Sequence, residues 1–248
     1  METELAGRTA LVTGASGAIG SAIARHLAAE GATVVVAWHT NERAAADLVT
    51  AITERGGSAR AVRLDQNDPA DARRAVAAAG PVTVLVANAV RWPSFDDDEI
   101  AGLAASLAAN TVDPAALIDA ALPGMRAAGW GRIVIVSTDI VEQPMGGPLA
   151  YPAAKGAMET AARVLAVREA RHGILTNVVR PGFTLTDRAL TAPFLGPKAV
   201  AEESAKTPTG RICTPDDVAS AVTYLASAAN GHVNGQVLSV AGGRELVR

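Results

Sequence analysis

Tyr151 and Lys155 stand four residues apart in the stretch YPAAK, at the head of the helix-like run AMETAARVLAVREARHG. That spacing places a phenol and an ammonium on one helix face. Pro152 falls in the first turn, where no backbone N–H is needed. The pairing suits proton transfer. A phenol titrates near ~10 and relays protons poorly at neutral pH, whereas a neighbouring cation favours its ionised form. Lowering it by about three units corresponds to about 4 kcal/mol of differential stabilisation. The expectation is an acid, Tyr151, tuned by Lys155.

A second group of residues suits phosphate. In TGASGAIG (13–20), Gly14, Gly17 and Gly20 let the backbone turn sharply and come close to a ligand. The helix that follows aims its N–H groups and positive dipole end at the same place, which fits a pyrophosphate. No Gly-Lys-Ser/Thr follows, which excludes a P-loop. The second strand runs out into AWHTNER (37–43) with no Asp or Glu at its tip. An acid there would bond the ribose 2′-hydroxyl of NAD. His39, Thr40, Asn41 and Arg43 are instead donors for a 2′-phosphate, and Thr40 or Asn41 also suits capping of ERAAADLV. NADPH is therefore expected over NADH, although the phosphate turn offers Gly17 and no basic residue.

The elements that must position these residues alternate along the chain. Short β-branched runs at 9–13, 33–37, 59–64, 82–87, 132–137, 175–180 and 236–240 are separated by alanine-rich helical stretches, one of them long, from about Asp97 to Ala128. The strand runs are nearly continuous in apolar residues, as strands covered on both faces are. The pattern predicts an α/β fold: a single doubly wound parallel sheet (Rossmann fold) with helices on both faces, one domain over residues 1–248. Pro193, Gly196, Pro197, Pro208 and Gly210 punctuate residues 183–210, which read as a substrate lid.

Composition narrows the partners. The chain has 248 residues, 49 % hydrophobic and 19 % charged, with a net charge of −3. That describes a globule and argues against nucleic acid. The apolar runs are short for a membrane span, and the acidic N-terminus enters a strand at once, so no signal peptide, no membrane and a cytoplasmic address are expected. Cys213 stands alone and reads as an inert thiol, and the four histidines lack metal-ligand spacing, so no metal is expected. Asp96, Asp97, Asp98 and Glu99 read as a helix start, and Trp92 as a pocket wall or loop packing.

TGASGAIG, Asn88-Ala89 after the fourth strand, Asn110 in the long helix, Tyr151-x-x-x-Lys155 and Pro181-Gly182 occur in the order seen in the short-chain dehydrogenase/reductase family, which the whole chain resembles. The tail, GRICTPDDVASAVTYLAS then VNGQVLSVAGG, is similar to the branch of 3-oxoacyl-thioester reductases. Three positions depart from the family pattern: Ala18 replaces a turn glycine, Val90 follows Asn88-Ala89, and Thr138 stands where the family has its catalytic serine. Ser137 is adjacent but points to the other sheet face. The resemblance implies that Thr138 orients a carbonyl and that Asn110 continues a proton path through water to Lys155. It also implies a cofactor lined by Gly14, Ser16, Gly17, Ile19, Gly20, Asp65 (near adenine), Gln66, Asn88, Ala89, Val90, Pro181, Gly182, Thr184 and Thr186, with Tyr151 and Lys155.

Together these imply an NADPH-dependent ketoreductase that acts on a small-molecule or carrier-bound ketone and assembles as a homotetramer or homodimer. The ketone is a 3-oxoacyl thioester or a cyclic or polyketide-like ketone. By the resemblance, the basic docking positions for a carrier hold Gly129 and His172, with Arg126, Arg132, Arg168 and Arg171 nearby. Two other readings stay open: an NAD-dependent alcohol dehydrogenase, and a catalytically weakened regulatory or assembly protein, the latter motivated by Val90 and Thr138.

Overall fold

The computed structural model describes residues 2–65, 68–92, 99–144, 146–191 and 195–247. Seven strands, β1 (Thr9–Val12), β2 (Thr33–Trp38), β3 (Ser58–Arg63), β4 (Val82–Ala87), β5 (Gly131–Val136), β6 (Ile174–Pro181) and β7 (Val237–Val240), form one parallel sheet in the order β3-β2-β1-β4-β5-β6-β7. The order reverses between β1 and β4, so their C-terminal ends open a crevice. Each strand lies within two residues of its sequence assignment.

The helices are α1 (Ala18–Ala29), α2 (Glu42–Thr53), α3 (Pro69–Ala79), α4 (Glu99–Leu107), α5 (Asp113–Ala128), α6 (Ala150–Glu169), α7 (Asp187–Thr191), α8 (Pro197–Lys206) and α9 (Pro215–Ala226). Side chains alternate across the sheet. Val34, Val36, Val84, Val86 and Val134 pack under α1, α2 and α9, while Val35, Leu85, Ile133 and Ile135 pack under α3, α5 and α6. Burial on both faces explains the unbroken apolar runs.

The long helical region is not uniform. Residues Ala108–Val112 between α4 and α5 form a π-helical turn. Asn110 is buried in it and bonds the backbone of Arg91, while Thr111 Oγ1 donates to the Ala154 carbonyl at 2.8 Å. These cross-element bonds hold the wider turn, and such turns recur at functional sites. Glu99–Ala128 forms the long helical stretch expected, and an 18-residue window of it reaches a mean hydropathy of 1.2, so by length and composition it could cross a membrane where the apolar runs had looked too short. Its α5 part packs on α3 and β4, and its α4 part on α6.

The arginines near the expected carrier-docking face are mostly engaged. Arg132 is buried and donates to the carbonyls of Gly131, Ser227 and Asn230, so it is a structural residue and is unavailable for docking. Arg126 and Arg168 both bond Glu169, whose side chain is buried at the end of α6. Arg126, then Arg168, holds the Glu169 carboxyl at about 2, well below its ordinary 4.5. A depressed carboxyl stabilises the fold above its unfolded value and loses that contribution as pH falls through the folded one. Glu169→Gln is expected to cost about 2 kcal/mol at pH 7. Thermal melts should show the gap to wild type closing as pH drops from about 4.5 toward 2.

Candidate active site

The turn after β1 is built around Thr13, which the sequence reading quoted but left without a role. Its hydroxyl accepts from the backbone N–H groups of Asn88 and Ala89, each at 3.0 Å, and so pins the end of β4 to the end of β1. Asn88 returns the contact: its amide donates to the carbonyls of Thr13 (3.0 Å) and Gly14 (3.2 Å). A polar residue closing an otherwise apolar strand was the signal for Thr13.

Within this frame the glycines differ. Gly14 has φ +61° and lies so close to Ala89 that a Cβ would come within 2.7 Å of its Cα. Gly20 would press a Cβ to 2.2 Å from the Gly14 carbonyl. Gly17, at φ −82°, would meet nothing nearer than 3.4 Å. The fold itself does not demand a glycine there. Gly17 is the N-cap of α1 and no side chain caps that helix, so its first-turn N–H groups face the crevice unspent. This open, side-chain-free end is shaped for a pyrophosphate, and Ser16 and Ala18 beside it are exposed. Ile19 turns inward onto the core.

At the tip of β2 the expected donors are arranged less simply. Asn41 spends its side-chain oxygen capping α2, accepting from Ala44 at 3.0 Å. Thr40 is exposed, and Arg43 reaches toward Asp47 on its own helix at 3.9 Å. His39 Nε2 lies 3.2 Å from Asp65 Oδ1, and Arg63, a residue the sequence reading missed, sits 3.9 Å from the other carboxylate oxygen. An acid therefore does stand beside this tip, brought by β3 and already paired. Asp68, not Asp65, caps α3. Gln66 and the run Asp96, Asp97 and Asp98 lie outside the described residues.

The candidate reacting groups converge at the end of β5. Tyr151, Lys155, Asn110 and Thr138 are all buried. Thr138 accepts from the Ile140 N–H at 3.4 Å and donates to Asp139 Oδ1 at 3.4 Å, and its hydroxyl favours the ionised form of the Tyr151 phenol. The ring of Trp92 lies 4.5 Å from that of Tyr151, and the Arg188 guanidinium stacks 4.3 Å from Trp92. Trp92 is thus a wall of the site, with α7 closing on it. Val90 is partly exposed beside this mouth.

In the protein alone, burial sets the charge state of Tyr151. Burial pushes the phenol of Tyr151 up, against the Thr138 hydrogen bond, and Asp139 adds to the rise. Lys155 stands near but is bonded elsewhere: its Nζ donates to the Val136 carbonyl at 2.8 Å and lies 6.0 Å from the ring centre. Burial brings Lys155 itself down to about 8, against the pull of Glu159. The protein thus holds Tyr151 as a proton-bearing phenol. Asn110 bonds Arg91 and Ser106 and makes no direct contact with Lys155. Asp139, next to Thr138, is a further acid in the site that the sequence reading passed over, and burial raises it too.

Pro181 ends β6, and Gly182 packs so tightly on Ala241 that a Cβ would meet it at 2.8 Å. Thr184 donates to the Gly182 carbonyl, and Thr186 accepts from Ala189 at the start of α7. Cys213 is buried and its thiol is pushed up to about 11 by that burial, in keeping with an inert role. Among the described residues no group of three metal-ligating side chains converges.

The profile of the family described as enoyl-(acyl carrier protein) reductase matches residues 14–245. The chain belongs to the short-chain dehydrogenase/reductase family. It is 35 % identical to the cis-4-hydroxycyclohexanecarboxylate dehydrogenase of Sinomonas cyclohexanicum, over 100 % of both chains. The 3-oxoacyl (acyl-carrier-protein) reductase from Agrobacterium tumefaciens C58, solved with NADP bound, superimposes with a TM-score of 0.88 at 31 % identity, covering 96 % of this chain and 94 % of that one. The gluconate 5-dehydrogenase of Burkholderia cenocepacia J2315, in complex with NADP and tartrate, gives 0.88 and 31 %, covering 98 % and 97 %. As a short-chain dehydrogenase/reductase, this protein is an NAD(P)-dependent oxidoreductase acting on alcohol or ketone groups.

Proposed function

We propose that this protein is an NADPH-dependent ketoreductase acting on a free cyclic or polyketide-like ketone. The observation that carries the reading is the burial of the Thr138 hydroxyl and the Tyr151 phenol side by side at the end of β5, two hydroxyls able to donate to one oxygen. A ketone oxygen placed there accepts from both. The nicotinamide cofactor, when bound, supplies the hydride. Gly14, Gly17 and Gly20 admit its pyrophosphate, and Ser16, Ile19, Asn88, Ala89, Val90, Pro181, Gly182, Thr184 and Thr186 border its path. Tyr151 delivers a proton to the oxygen as negative charge grows there. Lys155, a buried cation one turn away, stabilises the phenolate that remains. Thr138 keeps a hydroxyl where the family has serine, and its cap on Ile140 fixes the direction of that hydroxyl.

The NADPH preference is supported by His39, Arg63 and Arg43 around the tip of β2, by the engagement of Asp65 with His39, and by the NADP-bound relatives. A free substrate is favoured over a carrier-bound one because Arg132 is buried and Gly129 and His172 offer no lysine or arginine. Arg188 gives the mouth a cation with no acidic ion-pair partner among the described residues, which suits a ketone bearing a carboxylate, and one relative is named for a cyclohexanecarboxylate. Residues 183–210, carrying α7 and α8, act as the lid. Assembly as a homotetramer, which light scattering would test, is supported by exposed Val112, Val164 and Val167 on the π turn and α6.

The test is a ketone panel that includes 4-oxocyclohexanecarboxylate and its methyl ester, read by loss of nicotinamide absorbance with NADPH and with NADH. Turnover with NADPH, faster on the acid than on the ester, is expected. Turnover with NADH alone, or none with any ketone, would overturn the reading. On a good substrate, Thr138→Ala should lower kcat by tens- to hundreds-fold, about 2–3 kcal/mol for one lost oxyanion donor, while Thr138→Ser stays active. An alanine variant that matches wild type would reduce Thr138 to a space-filler.

A further inference from the structure

Three consecutive residues at the end of β5 are each tied to α6, at positions four residues apart. Val136 receives Lys155 through its carbonyl at 2.8 Å, Ser137 donates its hydroxyl to Glu159 at 2.6 Å, and the Thr138 hydroxyl acts on the Tyr151 phenol by favouring its ionised form. The middle rung is a buried charge that the reaction does not use. The Glu159 side chain is 2 % exposed. Arg180 of β6 clamps it from below, Nε to Oε1 at 2.8 Å and Nη2 to Oε2 at 2.6 Å, and reaches on to Glu142 in the segment after β5. Such a pair contributes little to stability by comparison with a well-packed apolar pair. Its location, one turn from Lys155 and one residue from Thr138, gives it another use.

We propose that Glu159 is a positioning residue of this active site: it anchors Ser137, and through it Thr138, against α6, while its carboxylate supplies the counter-charge for the buried ammonium of Lys155. This rests on the roles of Tyr151, Thr138 and Lys155 given above. The ionisable groups around the corner are Tyr151, Lys155 and Glu159 from α6, Arg180 from β6, and Asp139 and Glu142 from the segment after β5. Glu159 is the acid that acts directly on Lys155. Removing it leaves Arg180 as the nearest strong charge, so Lys155 should give up its proton at lower pH.

The chain has three lysines, Lys155, Lys198 and Lys206, so lysine labelled with ¹³C at Cε gives three resolvable titrations without any substrate. In Glu159→Gln the Lys155 midpoint is expected to fall by about half a pH unit or more. On a turned-over ketone, kcat should drop about tenfold and its alkaline limb should move down, with KM and the NADPH Kd within about threefold. Glu159→Asp keeps the charge and shortens the reach to Ser137, so it should restore the midpoint and only part of kcat. Should Glu159→Gln fail to fold, Glu159→Met with Arg180→Met removes the buried pair together, leaves Glu142 in solvent, and should show a smaller fall in the same direction, since the repulsion from Arg180 goes with it. A Lys155 midpoint within about 0.2 pH units of wild type in folded Glu159→Gln or in the double methionine variant overturns the proposal, as does an unchanged kcat in Glu159→Gln. If wild type reduces no ketone, the proposed function fails, and the lysine titration still decides the role of Glu159.

Discussion

Tyr151→Phe is expected to lower kcat about a thousandfold, ~4 kcal/mol, while the NADPH Kd stays within about twofold. The ring is buried and held by Trp92 at 4.5 Å, so phenylalanine should pack as tyrosine does and only the hydroxyl is lost. Burial keeps that hydroxyl protonated in the protein alone, which is the state a reductase needs before the hydride arrives. The wild-type rate should also fall above about pH 8, because Lys155 loses its proton there and the phenolate loses its cation. The pH–rate profile and single-turnover kinetics check both statements. A variant keeping more than about a tenth of the rate, a loss under ~1.4 kcal/mol, would mean that another group donates. Asp139, raised by its own burial, is the nearest acid to examine.

Gly20→Ala is expected to weaken NADPH binding at least about a hundredfold and to destabilise the fold by about 1–3 kcal/mol through overpacking. The new methyl would sit 2.2 Å from the Gly14 carbonyl, 2.7 Å from Asn88 Nδ2 and 2.8 Å from Ala15 Cα. Two of these are backbone atoms, and the carbonyl is held by Asn88 at 3.2 Å, so relief requires the phosphate turn to open. For a chain of this size the melting temperature should drop about 2–4 °C per kcal/mol. Gly17→Ala is the informative control. Its methyl meets nothing closer than 3.4 Å within the protein, so it should leave the melting temperature unchanged and still impair cofactor binding. Calorimetry of NADPH binding alongside thermal melts separates the two. Equal behaviour of both variants would mean that the turn does not approach the cofactor.

Much of this was legible in the order of the residues. Apolar runs buried on both faces announce parallel strands, Tyr151 and Lys155 share a helix face by spacing alone, and glycines at a first strand–helix turn mark a phosphate site. These are local patterns, set by periodicities of two and 3.6 residues and by backbone freedom, so they need no knowledge of what packs where.

The rest depended on which atoms meet across the sheet. Thr13 reads as the polar end of a strand until Asn88 and Ala89 dock on it from 75 and 76 residues away. Arg132 looked like a surface cation until folding wrapped it in carbonyls. Asp65 entered the cofactor crevice beside His39 because β3 lies next to β2, which no spacing along the chain expresses. The ionisation of Tyr151 in the protein alone could not be read from spacing. Spacing placed a cation one turn away, but desolvation depends on everything packed around the phenol, and in the folded protein it outweighs a lysine already bonded to Val136. Sequence therefore determined the fold class and named the candidate reacting groups, because those follow from short-range pattern. Tertiary structure decided their charge states and partners, because burial and hydrogen bonding are set by residues far apart in the chain.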